Sequence, residues 1–417
     1  MAATGQSANS ALGIVGGFNP FSAEYLADPY PILRDAREAA PAFYSADLDH
    51  WVVTQYTDVR HVLRTTASFS AVNALEPLTK LCPRATEMLK EGGYAATPAL
   101  TNLDPPGHAR QRRLTNAAFT PKRIAALGPF IRDVVHRFCD ERFRDRQADM
   151  INDLAWALPA LVLFQVLGLP ESDLIRVKEG ARYRGMVIYG QASEDEQIGA
   201  ARELASFWQY AWELVDARTK SPADDFISAL VQAREGDRDA LTHQELTSIM
   251  LQMLFAGHET TTNLLGNSFR RLLADRPSWE AIRYDPSLIP NAVEEVLRFD
   301  SSVIAWRHKT RQEVEIGGVR LPADAKLLLL LGSANRDPAV FPDPDRFDIR
   351  RPNAREHLSF GYGLHNCLGA PLARLEARVV LEEVSRRLPT LRLTGDARLE
   401  FPASISMRGP RSLSVIW

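Results

Sequence analysis

The sequence predicts a mainly α-helical protein with a small β region, and three observations carry that prediction. A run from Thr242 to about Ala274 opens with a capping box, Thr242 and Glu245, and keeps helical character for about 30 residues, roughly 45 Å of rod. Residues 121–240 are mostly amphipathic helix, broken near Gly128, Pro170, Gly190 and Pro222. Strand-like runs are short by comparison: Trp51 to Thr54, the glycine-split stretch between Val314 and Leu331, and an alternating tail over 389–417.

Composition bounds the rest. A chain of 417 residues with 45% hydrophobic content can bury a large core, and length alone suggests two or three domains unless a central cofactor unifies one. A net charge of -3 argues against general nucleic-acid binding. Three cysteines, Cys82, Cys139 and Cys367, are too few for a disulfide scaffold and suit a reducing cytoplasm. Met1 to Pro20 has no basic leader region, and its apolar run from Ala11 to Val15 is short, so residues 1–20 are expected to form a flexible lead. The strongest apolar run is read as Leu327 to Leu331, far below a membrane span; the protein is expected to be soluble and cytoplasmic, with no membrane or nucleic-acid partner.

Taken in order, Pro31 to Ala39 reads as helix and Trp51 to Thr54 as strand, with Tyr56, Thr57 and Asp58 opening a helix to Leu63. From Ala71 to Thr101 periodicity weakens, which predicts a long irregular loop of the kind that carries function. Asp104, Pro105 and Pro106 write a helix start. That helix carries His108 and Arg112 on one face, and the group His108, Arg110, Arg112, Arg113 reads equally as a solvated basic face or an anion site. Tyr183 to Ala192 reads as a helix end and a mobile apolar loop, or as ordinary core.

The middle of the long helix, Ala256 to Thr262, is poor in helix propensity. A local failure of this kind points to a widened or kinked turn with freed carbonyls, or to a helix crossing that Ala256 and Gly257 allow. His258 lies roughly 100° round the helix from Gly257 and reads as structural. Glu295 and Arg298 can pair at i and i+3. Gly317 and Gly318 predict a hairpin turn.

The chain is organised around Phe360, Gly361, Tyr362, Gly363, Leu364, His365, Asn366, Cys367, Leu368, Gly369, Ala370. A helix-favouring run from Leu372 to Leu388 follows, which puts the sulfur near a helix N-terminus and favours a thiolate. Glycines in the loop permit positive φ and close approach to a flat ligand, and nearby amides can donate to the sulfur. Alone, Cys367 also reads as a buried small hydrophobe. A single thiolate so placed suits haem iron.

The spacing of Phe360, Gly363, His365, Cys367 and Gly369 resembles the haem-binding loop of the cytochrome P450 family, and further motifs follow in family order over nearly the whole chain. Ala256, Gly257, Glu259 and Thr260 match that family's oxygen-binding helix. The resemblance implies one large haem domain over residues 21–417, with haem b between the long central helix and the Cys-loop helix. It makes Cys367 the iron ligand. It implies catalytic roles for Thr260 and Glu259, propionate contacts for His108, Arg112, Arg307 and His365, and cofactor contacts for Ala256, Gly257, Phe360, Gly361 and Gly369. Glu295 and Arg298 are expected to be buried and braced by Arg346, and Tyr183 to Ala192 to form a lid.

The closest likeness is to soluble bacterial members, and the wording of Ala256 to Asn263 and of Ala305 to Arg307 is also similar to the haem domain of reductase-fused ones. The implied function is a mono-oxygenase acting with O2 on a mainly apolar small organic molecule. With no cysteine cluster and no nucleotide-binding appendage before Trp417, electrons are expected from a ferredoxin-type donor and its NAD(P)H-dependent reductase, docked near Cys367 by Arg110 and Arg113. Substrate contacts are expected from the loop 71–101, residues 183–190, Leu254, Val303, Ile304 and Ser404. A peroxide-driven peroxygenase and a haem-based sensor are the rival classes. The acid and alcohol pair disfavours the first, and the lack of a signalling domain the second.

Overall fold

The computed structural model describes residues 17–143, 145–233, 241–395 and 399–417. The lead expected over 1–20 therefore falls outside the described residues as far as residue 16, as do residues 234–240 of the expected helical stretch. The helices that position residues of interest are α1 (Tyr56–Arg64), α2 (Gly107–Ala118), α3 (Leu158–Leu167), α4 (Leu174–Tyr189), α5 (Glu194–Lys220), α6 (His243–Ala274), α7 (Ile289–Phe299) and α8 (Ala370–Arg387). The strands are β1 (Ala42–Ser45), β2 (His50–Val53), β3 (Phe69–Ser70), β4 (Trp306–Thr310), β5 (Val314–Ile316), β6 (Val319–Leu321), β7 (Lys326–Leu329), β8 (Arg392–Leu393) and β9 (Ser414–Ile416). The fold is mainly α with a small β region, as the sequence predicts.

Two compact units are formed. The first comprises Met1–Ala74, Asn263–Cys367 and Val384–Trp417; the second comprises Leu75–Thr262 and Leu368–Glu383.

In the first unit, five strands pair in the order β1-β2-β7-β4-β3. β1 and β2 are antiparallel, with Phe43 opposite Val52; β2 runs parallel to β7, with Val52 opposite Leu328; β4 runs antiparallel to β7, with Arg307 opposite Leu328. Leu327, Leu328 and Leu329 are fully buried, which explains why this strand reads as an unbroken apolar run. Val53, Val59, Phe69, Leu327, Leu329 and Phe341 share one core. The expected hairpin is present as β5 and β6, and Gly317 and Gly318 turn it with φ of 55° and 79°. The tail folds back on this unit. Val303 bridges Met407, Ile304 N donates to Ser406 O at 2.7 Å, and β8 pairs with β9.

In the second unit, α3 is buried almost all round, because its residues offer no polar face. The window Met150–Leu167 is long and apolar enough to cross a membrane, yet 72% of it is buried inside the fold, the mark of a core helix. It also corrects the reading of Leu327–Leu331 as the strongest apolar run. The capping box of α6 forms as expected: Thr242 N donates to Glu245 Oε2 at 2.8 Å and Glu245 N to Thr242 Oγ1 at 3.2 Å.

Local expectations fail at four places. The irregular stretch 71–101 contains a helix at Pro83–Glu91, started by proline at its first position and by Cys82 Sγ, which accepts from Ala85 N at 3.4 Å. α2 begins at Gly107 rather than at Asp104, whose carbonyl accepts from His108 N at 3.0 Å. The mobile loop expected within Tyr183–Ala192 is absent as far as Tyr189, where the helix ends before Gly190, and Val187, Ile188 and Tyr189 are buried, as the ordinary-core alternative has it. Finally, α6 is α-helical throughout, with no widened turn at Ala256–Thr262.

Candidate functional site

In the first unit, the Cys367 loop is built from short hydrogen bonds between its own ends. Cys367 N donates to Phe360 O at 2.9 Å, Gly361 N to Leu358 O at 2.8 Å, and Asn366 N to Gly363 O at 3.2 Å. Gly361 and Gly363 adopt φ of 69° and 71°, where a side chain would strain the backbone. Gly363 also comes so close to α1 that an added Cβ would sit 3.0 Å from Leu63 O. Phe360 stands 5.7 Å ring to ring from His357, and Arg60 of α1 donates to Tyr362 Oη at 2.8 Å. Cys367 is exposed, whereas Cys82 and Cys139 are buried.

The stem of that loop is tied to α7 by residues the sequence reading missed. Asn335 Nδ2 donates to both Ser301 Oγ and Ser359 Oγ at 2.8 Å, both hydroxyls reach Leu297 O, and Asn335 Oδ1 accepts from Leu358 N at 2.7 Å. His357 Nε2 lies 3.1 Å from Glu294 Oε2, both side chains buried. A cluster of small polar residues inside an apolar context is the signal that would have found Ser301, Asn335 and Ser359, because buried polar atoms demand partners.

Beside this stem, Arg298 donates to Glu295 through Nε at 2.7 Å and Nη2 at 2.8 Å, as expected of the buried pair. The brace is not Arg346, which is exposed, but Arg351, whose Nε reaches Glu295 Oε1 at 3.3 Å. Arg346 contributes its carbonyl, which accepts from both Arg298 and Arg351. Arg307, on β4, is buried and its Nη2 donates to Ala74 O at 3.1 Å, while His365 is half-buried in the loop. Ser404 Oγ accepts from Met407 N at 2.9 Å in the segment that pairs with Val303 and Ile304, so these three expected pocket residues do come together.

In the second unit, α6 carries Ala256, Gly257, Glu259 and Thr260. Ala256 is exposed and Thr260 half-exposed, so one face of the helix is left uncovered, and Thr260 Oγ1 donates to Ala256 O at 3.2 Å. That back-bond occupies the carbonyl that a widened turn would have released. Gly257 points elsewhere. A Cβ on it would lie 2.8 Å from Leu163 Cδ1, so the glycine serves the crossing of α6 with α3.

Glu259 meets Lys178 of α4, whose Nζ lies 3.3 Å from its Oε1 and 3.4 Å from Nδ1 of the buried His258. Burial pulls the Lys178 ammonium below its ordinary range, partly offset by Glu259. Burial, and then the neighbouring Lys178 charge, hold the His258 pKa well below that of an ordinary imidazole. His258 is structural, as its helical phase predicts. Lys178 was missed, although a lone lysine between the apolar Val177 and Ala181 was the available signal.

On α2, His108 is buried and Arg112 half-buried. The helix is held to α6 through the segment 99–102: Gln111 Oε1 accepts from Leu100 N at 3.0 Å, and Gln252 Nε2 of α6 donates to Ala99 O at 2.9 Å. Arg110, expected at the docking face, pairs with Glu245. Gly369 opens α8, its carbonyl accepting from Ala373 N at 2.9 Å.

This donor set fits an iron porphyrin. One exposed thiol, Cys367, in a loop shaped by glycines suits a metal whose other ligands come with a carrier. Within the second unit, the uncovered face of α6 at Ala256 and Thr260 carries small residues that leave room for a flat ligand.

Comparison with known proteins agrees. A family model described as Cytochrome P450 matches residues 203–390. The mycinamicin IV hydroxylase/epoxidase of Micromonospora griseorubida is 36% identical over 406 residues, covering 96% of this chain and 98% of that protein. The solved structure of cytochrome P450 CREJ in complex with (4-ethylphenyl) dihydrogen phosphate has a TM-score of 0.94 at 38% identity, covering 97% of this chain and all of that one. An intact type IV self-sufficient cytochrome P450 mono-oxygenase has a TM-score of 0.93 at 38% identity, covering 97% of this chain and 53% of that one.

Proposed function

The chain belongs to the cytochrome P450 family of haem b mono-oxygenases, and from that premise we propose that it inserts one atom of O2 into a mainly apolar small organic molecule, with electrons from a separate ferredoxin and its NAD(P)H-dependent reductase. Residues 21–417 then act as one haem domain in the cytoplasm. The observation that carries the proposal is the exposed Cys367 held in a loop whose stem is fixed to α7. When bound, the cofactor supplies the redox and oxygen chemistry.

The chain's own residues do the rest. Cys367 would hold the iron through its sulfur and donate electron density to it. His108, Arg112, Arg307 and His365 neutralise the two propionates, which would be costly to bury alone. Phe360, Gly361, Gly369, Ala256 and Gly257 would hold the ring. Glu259, partly exposed and held by Lys178, passes protons from solvent through its Oε1, and Thr260 Oγ1 orients them. With Arg110 spent on Glu245, the exposed Arg60 and Arg64 of α1, which packs on the Cys loop, together with Arg113, are the cations that attract an acidic ferredoxin.

Substrate class follows the apolar character of Leu254, Val303, Ile304 and residues 183–190. Relatives bind molecules as unlike as mycinamicin IV and (4-ethylphenyl) dihydrogen phosphate, which supports an organic body and fixes no single compound. The test is spectroscopic and then kinetic. The reduced, carbon-monoxide-treated holoprotein should show the red-shifted Soret band of a thiolate-ligated haem, and Cys367→Ser should lose it. Turnover should require reduced ferredoxin. Equal turnover with hydrogen peroxide alone would instead indicate a peroxygenase, and no turnover with either a sensor.

A further inference from the structure

Arg184 of α4 is 7% exposed, yet its surroundings are unlike those of Arg298, Arg351, Arg336 and Arg37. Arg298 and Arg351 share Glu295, Arg336 has Asp345 and the Phe299 carbonyl, and Arg37 has the carbonyl and hydroxyl of Ser333. Arg184 forms no ion pair among the described residues. Its polar partner is a phenol: Nη1 donates to Tyr94 Oη at 2.9 Å, and Nε is buried with no acceptor. A guanidinium stays charged at any physiological pH and carries five donors, so a buried one without an anion is an incomplete pair.

The rest of its neighbourhood is apolar and only partly covered. Phe255 of α6 faces the guanidinium at 5.7 Å from its ring centroid. Buried Val187 and Leu204 pack with the half-covered Leu89, Tyr94, Tyr183 and Met186. Because Tyr94 Oη accepts from Arg184, its own hydroxyl proton points elsewhere and can be donated. Two donors of different origin, Arg184 Nε–H and Tyr94 O–H, therefore stand at the edge of an apolar cluster with no acceptor between them.

We propose that Arg184 and Tyr94 form an anion-binding subsite that takes the carboxylate or phosphate head of an otherwise apolar substrate. This deepens the mono-oxygenase reading and rests on it for the word substrate. Carboxylate and phosphate share the chemistry the subsite recognises, planar or trigonal oxygens that accept from a guanidinium fork.

Calorimetric titration of the full haem-loaded chain with octanoate, octyl phosphate and octanol tests the subsite without turnover. At least one anion should bind about 10- to 100-fold tighter than octanol, the range expected for charge-assisted hydrogen bonds. The tighter anion identifies the head group. Arg184→Gln should bring the anions to within roughly threefold of octanol and leave octanol itself unchanged, and Arg184→Lys should restore part of the gap. Should Arg184→Gln lose its cooperative melting transition, Tyr94→Phe decides, and it should weaken the anions alone by about threefold to tenfold. Octanol binding as tightly as both anions, or all three ligands weakened alike, overturns the proposal. Tight anion binding without ferredoxin-dependent oxidation would instead sink the mono-oxygenase reading and leave the subsite standing.

Discussion

Arg298 and Lys178 are both buried cations, one in each unit, and their surroundings differ in kind. Arg298 is fully buried, and all five of its donors are used: two on Glu295 and three on the carbonyls of Asn335, Pro344 and Arg346. Lys178, with its side chain 4% exposed, has one carboxylate oxygen at 3.3 Å and an imidazole nitrogen at 3.4 Å, and that carboxylate is 35% exposed. A fully satisfied network rigidifies what it touches, here the segments that anchor the Cys loop. A half-satisfied pair with one member in water keeps a proton-carrying group mobile, which suits Glu259 in its proposed role.

The comparison breaks most decisively at Glu295. Glu295→Ala would leave Arg298 and Arg351 buried without their shared anion, and removing one partner of a buried ion pair costs about 3–5 kcal/mol. Denaturant unfolding of the haem-loaded protein should show that loss, accompanied by poor haem retention because the Cys-loop stem leans on the same segment. A cost below about 1 kcal/mol would mean that the node is not structural.

The next effect separates the two faces of α6. Gly257→Ala pushes a methyl to within 2.8 Å of Leu163, and overpacking of a tight crossing costs about 1–3 kcal/mol. In a Leu163→Ala background the same change should cost nothing, since the opposing methyl groups are gone; a double-mutant cycle measures the difference. If Gly257→Ala were equally costly in both backgrounds, the crossing with α3 would not be what selects glycine.

A third effect appears only in acid. His258 is held neutral in the fold by burial and by Lys178, while the unfolded chain binds a proton as pH falls through about 6.5. Stability is therefore lost below that pH, at up to about 1.4 kcal/mol per pH unit for one proton. His258→Asn should flatten the fall in unfolding free energy between about pH 6.5 and 5.5 without altering it above neutrality. An unchanged acid slope would place the titrating group elsewhere.

These residues also show what a sequence exposes and what it hides. The capping box of α6, the Gly317–Gly318 hairpin and the Cys367 loop were legible because each depends on residues close together in the chain. Arg351 was mistaken for Arg346, five residues away, because both lie in a loop with no periodicity to fix phase, and only the direction of a side chain decides which guanidinium turns inward. Gly257 was legible as a small residue but not as a partner of Leu163, which lies on another helix. Lys178, Arg184 and Asn335 escaped for the same reason. Their significance rests on partners 80 or more residues away for the first two, and on a buried hydroxyl cluster for the third.

The smallest expected effect is the sharpest test of the contrast. Lys178→Met removes a buried cation and keeps much of its length, so the desolvation cost of the ammonium disappears together with the pair. Glu259 then loses its partner but is exposed enough to be hydrated, unlike the arginines around Glu295. The two changes oppose each other, and the net change in unfolding free energy should stay within about 1 kcal/mol. Its pH signature has a definite sign. Because the folded lysine is harder to protonate than the unfolded one, the unfolded chain binds more protons between the lowered value and the ordinary 10.5, and wild-type stability gains on raising pH through that window. Lys178→Met should lose that alkaline gain while remaining as stable as wild type at neutral pH. A loss near that of Glu295→Ala would show that the Lys178 pair is as fully structural as Arg298, and the division between a fixed unit and a working one would have to be redrawn.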